Sequence, residues 1–248
     1  MPVEVPRKKA ILGAGTNILA PDQGVSGIVI CLKDCLYGIS IENENCIRVA
    51  AGVTMTRAAV FAANNGLSGL EFAHGIPGTV GGGVYMNAGA YGGEICQVCR
   101  QVEVLTQDGN HKRYGADEMD FSYRHSRLED SGEIVISATF ALEPKPQEEI
   151  RARMQELMNK RKASQPLEYP SAGSAFKRPV GGYAAALIDN AGLKGFRIGD
   201  AAVSEKHAGF VINLGNATAN DVKELLRQVA CKVREKSGIQ LYPEIRIW

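Results

Sequence analysis

"EFAHGIPGTVGGGVYMNAGAYGGEI", residues 71–95, places eight glycines in the nineteen positions from Gly75 to Gly93 of a chain that holds 28 in 248. An even spread would put about two there. Glycine loses more backbone entropy on folding than any other residue, so packing alone rarely tolerates such a cluster. A large flat ligand pressed against the main chain would justify it, and Tyr85, Asn87 and Tyr91 stand beside it. An earlier loop, "LGAGTN" (12–17), follows a short apolar strand from Ala10 to Leu12. Its Gly13, Gly15, Thr16 and Asn17 offer N–H groups and short polar side chains to a phosphate without any lysine. Neither loop is a P-loop, because no Gly-Lys-Ser/Thr follows, and "GAGTN" lacks the third glycine and downstream acid of a dinucleotide fingerprint. Tight turns account for "GAGTN" alone equally well.

Outward from these loops the chain reads as ordinary globular protein. Lys and Arg number 28 against 27 Asp and Glu, so no global field exists to hold nucleic acid or an anionic membrane, and any anion must be met locally. No apolar run is long enough to span a bilayer, and "MPVEVPRKKAILGAG" lacks the apolar core and cleavage site of a signal peptide. A cytoplasmic location is the expectation. Its six cysteines, Cys31, Cys35, Cys46, Cys96, Cys99 and Cys231, read as small apolar residues in a reducing compartment. "CQVC" has redox or zinc spacing, but neither a second pair nor a nearby histidine completes it, and His74, His111, His125 and His207 are scattered. No protein-bound metal is expected.

Strands are expected in "GIVICL", "CIRVAAG" and "EIVISATFAL", and a hairpin in "QVEVLTQDGNHKRY" about its Asp108-Gly109 turn. Thr54 caps a helix in "MTRAAVFAANN" that Gly66 stops. "EPKPQEEIRARMQELMNKRKASQP" is a charged helix between prolines, with Met154, Leu157 and Met158 as its narrow apolar edge, and it is the best domain linker in the chain. Beyond it come a small helix "YAAALIDNAG", strands in "FRIGDAAVS" and "AGFVINLG", a helix "ANDVKELLRQVACKVREKSG" and a last strand "IQLYPEIRIW". Strands and helices mix without strict alternation, which favours an α+β fold with two domains.

Five stretches in order carry a resemblance: "LGAGTN", "GLEFAHGIPGTVGGGVYMNAGAYG", "FSYRHSRL", "QPLEYPSAGSAFKRP" and "YPEIRI". From about Ala10 to Ile247 the chain resembles the UDP-N-acetylenolpyruvoylglucosamine reductase (MurB) family, in its shorter type II form. The family carries a further segment before the first loop, where only "MPVEVPRKK" stands here, so a shortened N-terminus is expected. The resemblance implies a two-domain α+β flavoprotein. Residues 1–143 would form an FAD-binding domain of the PCMH, or vanillyl-alcohol-oxidase-like, superfamily, joined by the C-terminal strand 239–248. Residues 144–165 would be a linker helix, and 166–238 a smaller α+β substrate domain.

FAD is the implied cofactor, NADPH the co-substrate and a UDP-sugar enolpyruvyl ether the substrate; a monomer without nucleic-acid or membrane partners is expected. Implied cofactor contacts are Gly13, Gly15, Thr16, Asn17, Gly75, Ile76, Pro77, Gly78, Thr79, Gly82, Asn87, Gly89 and Ala90. Arg124 and Glu244 would stabilise the enol and Ser174 deliver the proton, while Tyr123, Lys177 and Arg178 would bind substrate. An arginine fork suits a fixed carboxylate; a glutamate beside an enediolate helps only if protonated or paired. Physics without the resemblance reads Ser174 as a turn serine and Glu244 as an edge carboxylate. Two other readings stand at this point: a degenerate flavin-fold protein that binds nucleotide or UDP-sugar without turnover, and another FAD oxidoreductase of the same superfamily.

Overall fold

A computed structural model describes residues 9–33 and 35–248; the expectation of a shortened N-terminus falls on residues 1–8, outside the described ones. The chain divides into two compact units. The first holds the described residues up to Gly15 together with Gly27–Lys160, and the second holds Thr16–Ser26 and Arg161–Trp248.

In the first unit, five antiparallel strands lie in the order His111–Gly115, Cys99–Leu105, Ile134–Ala141, Cys46–Ala50 and Ile39–Asn43. Alternation decides which face is buried. Ile47, Val49, Val102, Val104, Ala138 and Phe140 pack inward, while Arg48 pairs with Glu103 on the other face and Ser137 Oγ donates to the same carboxylate at 3.1 Å. The helix Met55–Asn64 starts at Thr54, whose hydroxyl accepts from Arg57 N at 3.2 Å, and lays Met55, Ala58, Ala59 and Ala62 on the core. A parallel strand pair, Lys9–Leu12 with Ile28–Cys31, leads into the first glycine loop.

The glycine-rich stretch contains a helix that its composition conceals. Val80–Tyr85 is helical through three consecutive glycines, each worth about 1 kcal/mol less than alanine in a helix interior. Close packing outweighs that cost. A Cβ on Gly81 would lie 2.9 Å from Ala51 Cβ, and one on Gly83 would lie 2.7 Å from Met55 Sδ. Beyond the helix, Gly89–Ala90 pairs with Gly93–Glu94 in a hairpin, where a Cβ on Gly93 would lie 2.5 Å from the Phe72 ring. Half of the eight glycines (Gly81, Gly83, Gly89 and Gly93) are therefore accounted for by protein packed against protein, contrary to the expectation that packing would not tolerate them.

The second unit is a four-stranded antiparallel sheet in the order Ser171–Ser174, Phe210–Asn213, Ala201–Val203 and Arg197–Ile198, backed by the helix Ala219–Ser237. Thr218 and Asp221 form a reciprocal capping box at the start of that helix, and Gly238, at φ +73°, closes its end. Leu225, Leu226, Val229 and Val233 repeat at helical spacing and pack against Phe176, Ala201 and Val211.

Two boundary expectations change. The helix Gln147–Ser164 is not a free linker: Ile150, Met154 and Leu157, at i, i+4 and i+7, are buried in the first unit's core, and only the turn from Arg161 groups with the second. The C-terminal segment pairs with a stretch inside 1–143, but that stretch groups with the second unit. Its Arg246–Ile247 pairs in parallel with Ile18–Leu19, and both belong to the second unit.

Candidate active site

Within the first unit the two glycine loops meet. Thr79 caps the Val80–Tyr85 helix, accepting from Gly82 N at 3.4 Å, and is 1% exposed. Val80 N and Gly81 N donate to Val53 O and Ala51 O at 2.8 and 2.9 Å, which pins the start of the helix to the sheet. A Cβ on Gly13 would stand 2.6 Å from Thr79 Oγ1, so only a bare residue fits there. Gly15 and Gly78 have φ of +70° and +138°, backbone that L side chains rarely adopt, while Gly82 is exposed. Gly75, Ile76 and Pro77 lead into this cap, with Ile76 N donating to Ala73 O at 3.0 Å. The main chain at Gly13 thus faces Thr79 across a gap that a single Cβ would fill, and with the left-handed Gly15 and Gly78 it makes a bare-backbone cradle suited to the diphosphate of a dinucleotide cofactor.

Arg124 stands on a tight turn of the same unit. Ser122 N donates to His125 O and His125 N to Ser122 O, both at 3.2 Å, so Tyr123 and Arg124 form a two-residue tip. Arg124 has φ +56°, a conformation that costs a non-glycine residue about 1–3 kcal/mol. Its Nη2 donates to Gly89 O at 3.1 Å, and its guanidinium lies 4.9 Å from the centroid of the Tyr123 ring. Next to it Gly89 and Ala90 begin the hairpin described above. Asn87 is 1% exposed, and its amide is committed to Ser122, Glu94 and Cys96.

The second unit brings Ser174 and Glu244 onto neighbouring segments. Ser174 ends its strand, exposed, in register with Phe210. Immediately beyond it Glu244 N donates to Ala175 O at 2.9 Å, Phe176 bridges Pro243, and Lys177 N donates to Tyr242 O at 2.9 Å. Thr16 and Asn17, expected at the cofactor, belong to this unit. Asn17 Nδ2 donates to Glu244 O at 3.3 Å and its carbonyl accepts from Arg246 N at 2.9 Å, which holds the glutamate's segment in place. Arg178 is exposed and stacks 4.5 Å over the Tyr183 ring.

Sequence reading did not single out a small cavity of about 180 Å³ in this unit, lined by Lys194, Lys206, His207 and Asp189 among others. The two lysines stand twelve residues apart and become neighbours only through the sheet; "GLKG" and "SEKHAG" carry no signal alone. Lys194 pairs with Asp189 at 2.9 Å, and Lys206 donates to Lys162 O at 2.8 Å. His207 Nδ1 accepts from Gly209 N at 3.1 Å. Burial first, and then the Lys194 charge, hold the His207 imidazole below its ordinary proton affinity, against an opposing backbone hydrogen bond.

A pH effect follows with a definite sign. The unfolded chain protonates this histidine near its ordinary value of about 6.5 while the folded one resists, so the stability it contributes above that pH is lost as pH falls through the lowered folded value. Burial lowers His74 in the same sense. Melting temperature should therefore drop between pH 7 and pH 5, and His207→Gln should flatten part of that slope. An unchanged slope in the variant would contradict it.

Mixed helices and strands in two units make this a two-domain α+β flavoprotein. Residues 6–115 match the model of an FAD binding domain, and residues 165–248 match the C-terminal domain of UDP-N-acetylenolpyruvoylglucosamine reductase. The chain is 49% identical to the UDP-N-acetylenolpyruvoylglucosamine reductase of Agathobacter rectalis, over 96% of this chain and 79% of that protein. It is 48% identical to the one from Lactobacillus acidophilus with the same coverage. The crystal structure of the enzyme from Thermus caldophilus superposes with a TM-score of 0.83 at 40% identity, over 99% of this chain and 86% of that one. The chain belongs to the UDP-N-acetylenolpyruvoylglucosamine reductase family.

Proposed function

We propose that this protein reduces UDP-N-acetylenolpyruvoylglucosamine to UDP-N-acetylmuramate for peptidoglycan precursor synthesis, with FAD as resident cofactor and NADPH as reductant. The observation that carries the reading is identity of 48–49% over 96% of the chain to relatives bearing that name. Gly13, Gly15 and the Gly75–Thr79 and Gly82 main chain would hold the FAD diphosphate, and Gly89 and Ala90 would adjoin its ring. When bound, FAD supplies the hydride, taken from NADPH and given to the enolpyruvyl double bond.

What remains for the protein is charge and a proton. Hydride at the terminal vinyl carbon leaves negative charge on its neighbour and the attached carboxylate. Arg124 holds that carboxylate with its planar fork, and Glu244 supports the enol. Ser174 gives its hydroxyl proton to the carbon, a step open to so weak an acid only against a strongly basic partner in a site closed to water. Tyr123, Lys177 and Arg178 are assigned to the UDP-sugar and its diphosphate. No helix among the described residues is long and apolar enough to cross a membrane. A cytoplasmic monomer acting on small molecules is part of the same proposal.

The purified protein should be yellow, or become so with FAD, and should oxidise NADPH in step with UDP-N-acetylenolpyruvoylglucosamine consumed. Absorption spectroscopy at micromolar protein and a coupled product assay decide it. Absence of a flavin spectrum sinks the FAD assignment, and NADPH oxidation indifferent to that substrate sends the protein to another reductase activity.

A further inference from the structure

The turn that presents Arg124 is fastened from behind by two buried residues to which the chemistry above gives no part. Asn87 Nδ2 donates to Ser122 O at 3.0 Å and to Glu94 Oε2 at 3.3 Å, and its Oδ1 accepts from Cys96 N at 2.9 Å. On the other side of the tip, Ser126 is 0% exposed and its Oγ donates to Tyr85 O at 2.8 Å. Both ties run to the stretch 85–96, whose Gly89 carbonyl also receives Arg124 Nη2. Left-handed backbone at an arginine persists only where the surroundings over-determine it, and these bonds do so from both flanks.

We propose that Asn87, together with Ser126, is a positioning residue for Arg124, fixing the guanidinium against the substrate carboxylate, rather than a contact of the cofactor. Asparagine is suited to the place. Asn87 itself has φ +42°, which asparagine tolerates better than most residues, and the site uses one acceptor and two donors on one short side chain, which aspartate, alanine and glycine do not offer. This inference rests on the assignment of Arg124 to the substrate carboxylate.

The test is a double-mutant cycle with Asn87→Asp and Arg124→Lys. FAD content, the NADPH half-reaction and kcat/KM for UDP-N-acetylenolpyruvoylglucosamine are measured for the four proteins. Aspartate keeps the acceptor for Cys96 and loses the donor to Ser122. Asn87→Asp should retain FAD and the NADPH half-reaction and lower substrate kcat/KM by about 10- to 10²-fold, the scale of a catalytic group misplaced by about 1 Å. With lysine at 124 the same change should cost less than about threefold, because residues acting through one group are not additive. Full multiplicative losses overturn the proposal, as does weakened FAD binding by Asn87→Asp, which would return the residue to the cofactor. Parental substrate reduction by Arg124→Lys alone would overturn it differently, by removing the role of Arg124 itself. If Asn87→Asp does not fold, Ser126→Ala takes its place in the cycle and is judged by the same outcomes.

Discussion

Ser174→Ala should lower substrate reduction by about 10² to 10⁴, the factor a positioned general acid supplies, while NADPH oxidation in the first half-reaction stays near the parental rate. Hydride and proton arrive separately, and the serine is assigned only to the second event. Its place in the fold makes the experiment clean. Ser174 is exposed at the end of its strand, and the hydrogen bonds that hold the segment are main-chain ones made by Ala175 and Lys177. Removing one exposed hydroxyl should change stability by no more than about 0.5 kcal/mol. Ser174→Cys should recover part of the loss, since a thiol at the same point also gives up a proton and a methyl group does not. A turn serine of purely local importance predicts intact turnover in both variants. Stopped-flow measurement of each half-reaction separates the two accounts, and parental substrate reduction by Ser174→Ala would end the proton-donor assignment.

Arg124→Gly should separate activity from stability in opposite directions. At φ +56° glycine is at home where arginine is strained, so the variant should fold as stably as the parent or up to about 1 kcal/mol more so. The bond from Arg124 Nη2 to Gly89 O is lost with the side chain and offsets part of that gain. Substrate reduction should nevertheless fall by about 10² or more, since a charged hydrogen-bonding partner buried with its ligand is commonly worth 2–5 kcal/mol. Few active-site changes are expected to leave the melting temperature level or raised while removing the chemistry. A destabilised but active variant would mean that Arg124 shapes its turn and nothing else.

The long periodic elements were readable because each obeys one rule at a time. Thr54 before an apolar helix, Asp108-Gly109 between alternating strands, and leucines and valines at helical spacing in 219–237 are local signals, and each element lies where its signal points. The glycine-rich stretch was readable as important and misread in part. Gly81 and Gly83 look like their neighbour Gly82 in sequence, yet two of the three face Ala51 and Met55, and only the tertiary fold sorts them. The same limit holds for the linker helix: in a helix as charged as 147–164, three apolar residues are a thin stripe, and what they meet decides whether they are core. The roles proposed for Arg124, Ser174 and Glu244 rest on motif resemblance. No sequence rule reports that Arg124 would be left-handed, that Asn17 would hold the backbone of Glu244, or that Lys194 and Lys206 would share a cavity.

The second unit is assembled from two stretches separated by the whole of Gly27–Lys160, and this sets an order of events during synthesis. Thr16–Ser26 leaves the ribosome well before its partners: Asp22 accepts from Ala219 N at 2.7 Å, and Ile18–Leu19 pairs with Arg246–Ile247. At translation speeds of about 5–20 residues per second, that early segment waits roughly 10 to 45 s before its sheet and helix exist. Every residue of the first unit has been made by Lys160. The glycine cradle and the Arg124 turn can thus mature on the nascent chain, whereas the surroundings of Glu244 are completed only after Arg246–Ile247 has emerged.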